Sequence, residues 1–200
     1  MIPTPARRAA LLAGVLALAA CTDATLREDP PELLSDMRLG HVVVVAENAQ
    51  KVPISRDATP DEWKEAMTAA LRERFGRTEG TRLYHLGVNI DGYALAPPGI
   101  PVVAAPKSVL VISANVWEDA RGDERLNPEA RQLTIFEGIS GETVIGSGLT
   151  RGKAAQMRTL SRNAARAVEN WLVENPDWFA PQDGGEDGGA EEAAGVAEAN

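Results

Sequence analysis

The residues best suited to acid–base or metal chemistry are the two histidines, His41 and His85. They lie far apart in the sequence and lack the short spacing of a zinc motif. We therefore interpret each one as a surface or strand-edge histidine, and the sequence predicts no metal site. Either histidine paired with a carboxylate in a cleft would instead indicate a hydrolase.

Other reactive side chains form no recognisable catalytic constellation. Gly146-Ser147-Gly148 lacks the strand and helix that flank a nucleophile elbow. His85, Asn89 and Asp91 share one face of a predicted strand, where they could bind a small ligand or form a solvated face. The sequence therefore predicts a protein that is not an enzyme and holds no cofactor.

The N-terminal segment has the pattern of an export signal. Arg7 and Arg8 precede an apolar run over residues 9–20. A membrane-spanning helix needs about 20 apolar residues, so this run is too short to span and is typical of a cleaved signal peptide. It ends in Leu18-Ala19-Ala20-Cys21, which contains the only cysteine of the chain.

Leu18-Ala19-Ala20-Cys21 resembles the lipobox of bacterial lipoproteins. The resemblance implies that Cys21 is acylated, with palmitate among its acyl chains, and becomes the first residue of the mature protein. Several acyl chains on one residue would anchor the protein durably on a membrane. Thr22 replaces the aspartate of an inner-membrane retention signal, which favours the periplasmic side of the outer membrane over the inner membrane.

The charge balance excludes some partners. The chain carries 20 Lys+Arg and 29 Asp+Glu, and two of the basic residues belong to the signal, so the mature charge is 18 − 29 = −11. Such an acidic protein is not expected to bind nucleic acid. It also has no basic cluster for anionic headgroups, so we expect membrane contact through the lipid anchor alone.

Composition divides the chain into four parts. We predict a signal peptide over 1–20, a lipidated cysteine and tether over 21–39, one periplasmic domain over 40–181 and a disordered tail over 182–200. The tail contains two glycine pairs and six acidic residues without a basic one, and it has no aromatic residue to bury.

Strand and helix patterns alternate within the domain. Thr59-Pro60-Asp61-Glu62 matches a capping box, so we expect a helix from Pro60 that stops at Gly76. The other predicted elements are a buried strand at Val42–Val45, a half-buried strand from Tyr84, a central strand at Val109–Trp117, strands at Leu133–Phe136 and Val144–Ile145, and a helix from Lys153 to Val173.

The resulting element order is β-α-β-β-β-α. It predicts an α+β two-layer sandwich, with an antiparallel or mixed sheet of four to five strands and two amphipathic helices on one face.

This element order over Gly40–Val173, with the turn Gly138-Ile139-Ser140-Gly141-Glu142 after a strand, resembles a group of small bacterial envelope lipoproteins. Their periplasmic domain is similar to the N-terminal domain of the Tol translocation protein and to penicillin-binding-protein activator lipoproteins. The resemblance implies a role in envelope assembly, activation or structural support through contacts with another envelope protein.

Two features could contact such a partner: a four-proline loop, Ala96–Pro106, and aromatic residues at the margins of the fold. The candidate contact residues are Ile100, Val102, Val103, Trp117, Trp178 and Phe179. The alternative is that the loop covers an end of the core and that the aromatic rings pack against the domain. Two other functions remain open: binding of a small periplasmic ligand or lipid in a closed pocket beneath the loop, and hydrolysis of envelope material.

Overall fold

The computed structural model of the protein describes residues 29–97, 108–137 and 152–180. Its regular elements lie in a compact unit that begins at Glu32. They are strands β1 (Met37–Val45), β2 (Gln50–Lys51), β3 (Arg82–Ala94), β4 (Val109–Glu118) and β5 (Arg131–Phe136), and helices α1 (Pro60–Phe75) and α2 (Lys153–Val173). The predicted α+β class is confirmed.

The five strands form one mixed sheet in the order β1-β3-β4-β5. β1 pairs with β3 in parallel, whereas the β3–β4 and β4–β5 pairs are antiparallel. β2 also pairs with β3 in parallel and continues the β1 edge. Because parallel neighbours need a crossover connection, α1 lies between β1 and β3 in the chain.

Helix α1 begins where the capping box predicts. The Glu62 N–H donates to Thr59 Oγ1 at 3.2 Å, and the Thr59 N–H donates to the Glu62 carboxylate at 2.8 Å. Pro60 occupies the first turn, and the helix ends at Phe75, just before Gly76. The predicted helix from Lys153 to Val173 is also confirmed.

The core fills the space between the sheet and both helices. Alternate residues of β3 and β4 point into it and are buried, as the period-two pattern from Tyr84 predicts. The strand residues are Tyr84, Leu86, Val88, Ile90, Leu110, Ile112, Ala114 and Val116, and the principal helix residues are Trp63, Met67, Leu71, Leu160, Ala164, Val168 and Leu172.

The start of the domain and the burial of β1 differ from the sequence interpretation. Leu34 and Met37 are buried in the core, so the ordered unit includes residues that we assigned to the tether. Val43 and Val45 are 58% and 40% exposed. The prediction of a buried strand at Val42–Val45 was wrong, because β1 is an edge strand with only one face against the core.

Several predicted features lie outside the described residues. They are the signal segment, Cys21, Ile100, Val102 and Val103 of the proline loop, the strand at Val144–Ile145, the turn at Gly138–Glu142 and the acidic tail. Within the described ranges, no helix is both long and apolar enough to cross a membrane.

Candidate functional site

The sheet has one face under the helices and one face that we call the open face, on which, in the described part of the chain, neither helix packs. Its residues come from four strands. They include His41, Val43 and Val45 of β1, His85, Gly87 and Asn89 of β3, Asn115 and Trp117 of β4, and Phe136 of β5. Phe136 is 56% exposed, and an exposure this high is as unusual for a large apolar side chain as that of Val43.

Three aromatic rings cross the open face from β1 to β4, and we call them the ring row. The His41 and His85 rings stack with their centroids 5.0 Å apart and their planes at 27°. His85 is directly opposite Trp117 in the antiparallel register of β3 and β4. Rigid aromatic side chains on an exposed sheet surface are effective contact groups, because they offer a large area and lose little entropy on binding.

Two glycines within the strands leave space for the His85 and Trp117 rings. A Cβ at Gly40 would lie 2.5 Å from His85 Nδ1, and a Cβ at Gly87 would lie 2.9 Å from the Trp117 ring. Both rings therefore lie directly against backbone. Glycine inside a strand often marks such a close approach, and this signal was available in the sequence but was not used.

His85 is held by hydrogen bonds at both ring nitrogens. The His41 backbone N–H donates to His85 Nδ1 at 2.9 Å, which places the proton of the neutral ring on Nε2. That nitrogen is 3.2 Å from Asp119 Oδ1, and the Asp119 side chain is 64% exposed. The structure thus pairs His85 with a carboxylate at one ring nitrogen and with the His41 backbone N–H at the other.

The predicted polar cluster is only partly formed. The Asn89 amide donates to Asp91 Oδ1 at 2.6 Å, and Ser113 Oγ donates to Asp91 Oδ2 at 2.7 Å. His85 does not take part, so Asp91 is satisfied by its neighbours on the open face. Among the described residues, no group of three or more His, Cys, Asp or Glu side chains is arranged to hold a metal ion.

A groove of about 450 Å³ runs beside the ring row. Its walls include Val43, Val45 and the amide side chains Asn89 and Asn115, and Asp123 lies at its margin. A volume between about 300 and 1,000 Å³ is usual for ligand sites, although this groove is open rather than enclosed. The closed pocket expected beneath the proline loop involves residues outside the described ranges.

Trp178 and Phe179 do not form a free aromatic surface. Phe179 is only 9% exposed, and its ring lies 5.1 Å from that of Tyr84. Trp178 packs edge-on against Trp171 at 5.3 Å. These two candidate contact residues therefore pack against the domain, because the chain folds back onto the core after α2.

An arginine fixes this returning segment. Arg82 donates from Nη1 to the carbonyls of Phe179 and Ala180 at 2.8 and 3.0 Å, while its Nε donates to the buried Glu118 at 2.8 Å. The Tyr84 hydroxyl donates to the Trp178 carbonyl at 3.2 Å. Burial, with a smaller contribution from Glu118, raises the pKa of Tyr84 to about 12.

Comparison with known proteins gives no family for the chain. No family model and no curated protein match it. Similar solved structures include a Xanthomonas campestris protein assigned to the family DUF330, at 12% identity and a TM-score of 0.40. The alignment covers 70% of this chain and 86% of the Xanthomonas chain. A hypothetical protein from Chlamydia trachomatis matches at 10% identity and a TM-score of 0.39, over 70% of this chain and 99% of that one.

A third structure, from Caulobacter crescentus, is provisionally described as a lipoprotein. It matches at 14% identity and a TM-score of 0.34, over 75% of this chain and 96% of that one. At TM-scores this low, the likeness assigns neither a family nor a function to this chain. None of these three is described as a Tol translocation protein or a penicillin-binding-protein activator, so that resemblance stays a prediction.

Proposed function

We propose that this chain is a lipid-anchored, non-enzymatic protein of the bacterial envelope that binds another envelope protein through its open face. The observation that carries the proposal is a sheet with helices on one face and, on the other, the exposed valines of β1 beside a fixed ring row. The role is one of assembly or structural support, as the resemblance to Tol-like and activator lipoproteins implies.

The anchor rests on the sequence. Cys21 is the only cysteine and directly follows the apolar run of a signal peptide. Acylation, including palmitate, would hold the domain on the membrane, and Thr22 favours the periplasmic side of the outer membrane. The domain itself is acidic, so its attachment depends on the acyl chains rather than on attraction to anionic lipids.

The open face has the chemistry of a protein contact. Val43, Val45 and Phe136 are more exposed than is usual for large apolar residues, and Trp117 belongs to the residue type that contributes most at interfaces. Its indole is held against Gly87, so binding costs little ordering of the ring. Polar side chains such as Asn115 and Asp123 at the groove supply a rim.

Site-specific photo-crosslinking in the native host tests this proposal. A photoreactive amino acid replaces Asp123 beside the groove, and the matched control replaces Arg72, which is exposed on α1. We expect a discrete protein adduct from position 123 that disappears when Trp117→Ala is added. An adduct from position 72 only, or one from position 123 that survives Trp117→Ala, would contradict the proposal.

A small periplasmic ligand is the second candidate, because the groove volume suits one. The same experiment separates the two functions. A protein partner gives an adduct of higher mass on a gel, whereas a small ligand leaves the gel mobility unchanged and appears as a small mass increase in the intact protein.

A further inference from the structure

Exposed apolar side chains concentrate along one edge of the sheet. The large apolar residues that are exposed in the described part of the chain are Val43, Val45, Val52, Ile54, Phe136 and Val173. Val43 and Val45 lie on β1, and Val52 and Ile54 lie within three residues of the end of β2, which continues the same edge. Clustered apolar exposure of this kind marks a contact site more often than scattered exposure does.

The outer edge of β1 is also unpaired over most of its length. β1 pairs with β3 on one side, and on its other side the described residues provide only an isolated bridge between Arg38 and Glu79. Proteins usually protect such an edge from pairing with another chain by placing charged residues, especially lysine, or proline on it. Leu39–Val45 contains no Lys, Arg, Asp, Glu or Pro.

Of the charges that border this edge, those of Glu47 and Lys51 are paired within the chain, while Arg38 at the start of β1 is exposed. Glu47 forms an ion pair with Lys64, and Lys51 contacts Asp57 at 2.5 Å. Leu39–Val45 is therefore a locally neutral, apolar stretch on a chain whose formal charge is −9. Two copies of so acidic a protein repel each other over most of their surfaces, so a self-contact is favoured where no net charge is exposed.

We propose that two copies of this chain pair through β1, antiparallel and about a two-fold axis centred on Val43, so that their sheets join at this edge. In that register Val43 meets Val43 of the second copy, and His41 meets Val45 of the second copy. Apolar or neutral groups then face each other at every central position, without opposed like charges. The pairing also satisfies backbone groups of both edge strands and brings the two open faces side by side.

One step of this inference rests on the lipid anchor of the proposed function, and none rests on the envelope partner. Anchoring confines the copies to one membrane, which raises their effective concentration and lets a short strand pair be populated. A dimer can therefore form whether or not the open face binds another protein.

A cysteine at the axis tests the register. Full-length Val43→Cys is expressed in its native membrane, and disulfide-linked dimer is measured on a non-reducing gel. Directly opposed residues in antiparallel strands are close enough to form a disulfide.

Phe136→Cys is the matched control, because Phe136 is equally exposed but lies on β5, at the other edge of the sheet. We expect dimer from Val43→Cys and much less from Phe136→Cys. Equal yields from the two variants, or no dimer from either, would overturn the proposal.

A second measurement tests the same pairing without a disulfide. The full chain in lipid vesicles, where the anchor confines the copies to one membrane, is expected to be a dimer when fluorescently labelled subunits are counted, and Val43→Lys should be a folded monomer with an unchanged circular dichroism spectrum. A wild-type monomer at all protein-to-lipid ratios, or a Val43→Lys variant that remains dimeric, would overturn the proposal. Trp117→Ala should leave the dimer intact, so loss of the envelope partner and loss of self-pairing are distinguishable.

Discussion

At the scale of single residues, the open face depends on two glycines and the rings that lie on them. Gly87 leaves room for Trp117, and Gly40 leaves room for His85. Neither contact follows from the order of residues alone, because each joins separate strands. The sequence singled out Trp117 and both histidines but could not bring them together, since the stack of His41 on His85 depends on the β1–β3 register and its irregularity between Leu39 and Val42.

Gly87→Ala should displace Trp117. The added methyl would lie 2.9 Å from the ring, so the indole must move while the buried face of β3 stays unchanged. We expect the adduct from position 123 to be lost, with the thermal midpoint lowered only modestly. Gly152→Ala is the control, because its Cβ would meet no atom within 4 Å. Retention of the full adduct in Gly87→Ala would show that the position of Trp117 does not matter.

Tyr84 predicts how stability depends on alkaline pH. Burial raises its pKa in the folded protein to about 12, above the value of about 10 in an unfolded chain. The stabilisation from its neutral hydroxyl is therefore complete below pH 10 and lost as the pH rises through the folded pKa. Urea unfolding should show a steeper fall in the free energy of unfolding across this range for wild type than for Tyr84→Phe. Equal falls would contradict the assignment.

At the scale of elements, the sequence predicted the helices well because their signals are local. The capping box at Thr59, the apolar stripe of α1 and the limits of α2 all depend on residues within one or two turns. The burial of β1 was misjudged because it depends on the sheet as a whole and not on neighbouring residues. The four valines Val42–Val45 suit a central strand as well as an edge strand, and only the order of strands in the sheet decides between them.

Thr59→Ala should lower the stability of the domain by about 1 kcal/mol, since it removes the side-chain acceptor of the Glu62 N–H. Thr68→Ala, within the same helix, is the matched control and should be neutral or slightly stabilising, because alanine has the higher helix propensity. Thermal unfolding of both variants measures the difference. An unchanged midpoint for Thr59→Ala would mean that the cap contributes nothing in solution.

At the scale of the whole molecule, the sequence predicted the α+β class. It left the sheet open between antiparallel and mixed, and it left the aromatic rings of the C-terminal segment open between partner contact and packing against the domain. Trp178 and Phe179 follow Pro176 without periodicity, so their burial depends on Arg82 and Tyr84, nearly a hundred residues earlier. Long-range contacts of this kind leave no local pattern to interpret.

Two truncations separate the docked segment from the tail. Ending the chain after Pro181 should leave stability intact, because the removed residues include no large apolar side chain other than Val196. Ending it after Asp177 removes the packed rings of Trp178 and Phe179, and should cost several kcal/mol, at about 3–5 kcal/mol for a buried aromatic side chain. Urea unfolding measures both. Equal stability of the two truncated chains would show that the rings do not pack as described.

Cys21→Ser tests the anchor. Without the thiol there is no acceptor for the acyl chains, so the variant should incorporate no labelled palmitate and should leave the membrane fraction or remain as uncleaved precursor. Fractionation of cells that express wild type and variant at equal levels makes the comparison. Unchanged membrane retention and labelling in Cys21→Ser would refute the lipid anchor.

The most direct test of the central claim is the accessibility of the open face in the native membrane. Asp123→Cys and Arg72→Cys are each labelled with a membrane-permeant maleimide in intact cells, and again after purification in detergent. If another envelope protein covers the open face, the cysteine at 123 should react several-fold more slowly in cells than after purification, while the cysteine at 72 reacts at similar rates in both. Equal reactivity of position 123 in both settings would contradict the claim that the open face binds a partner.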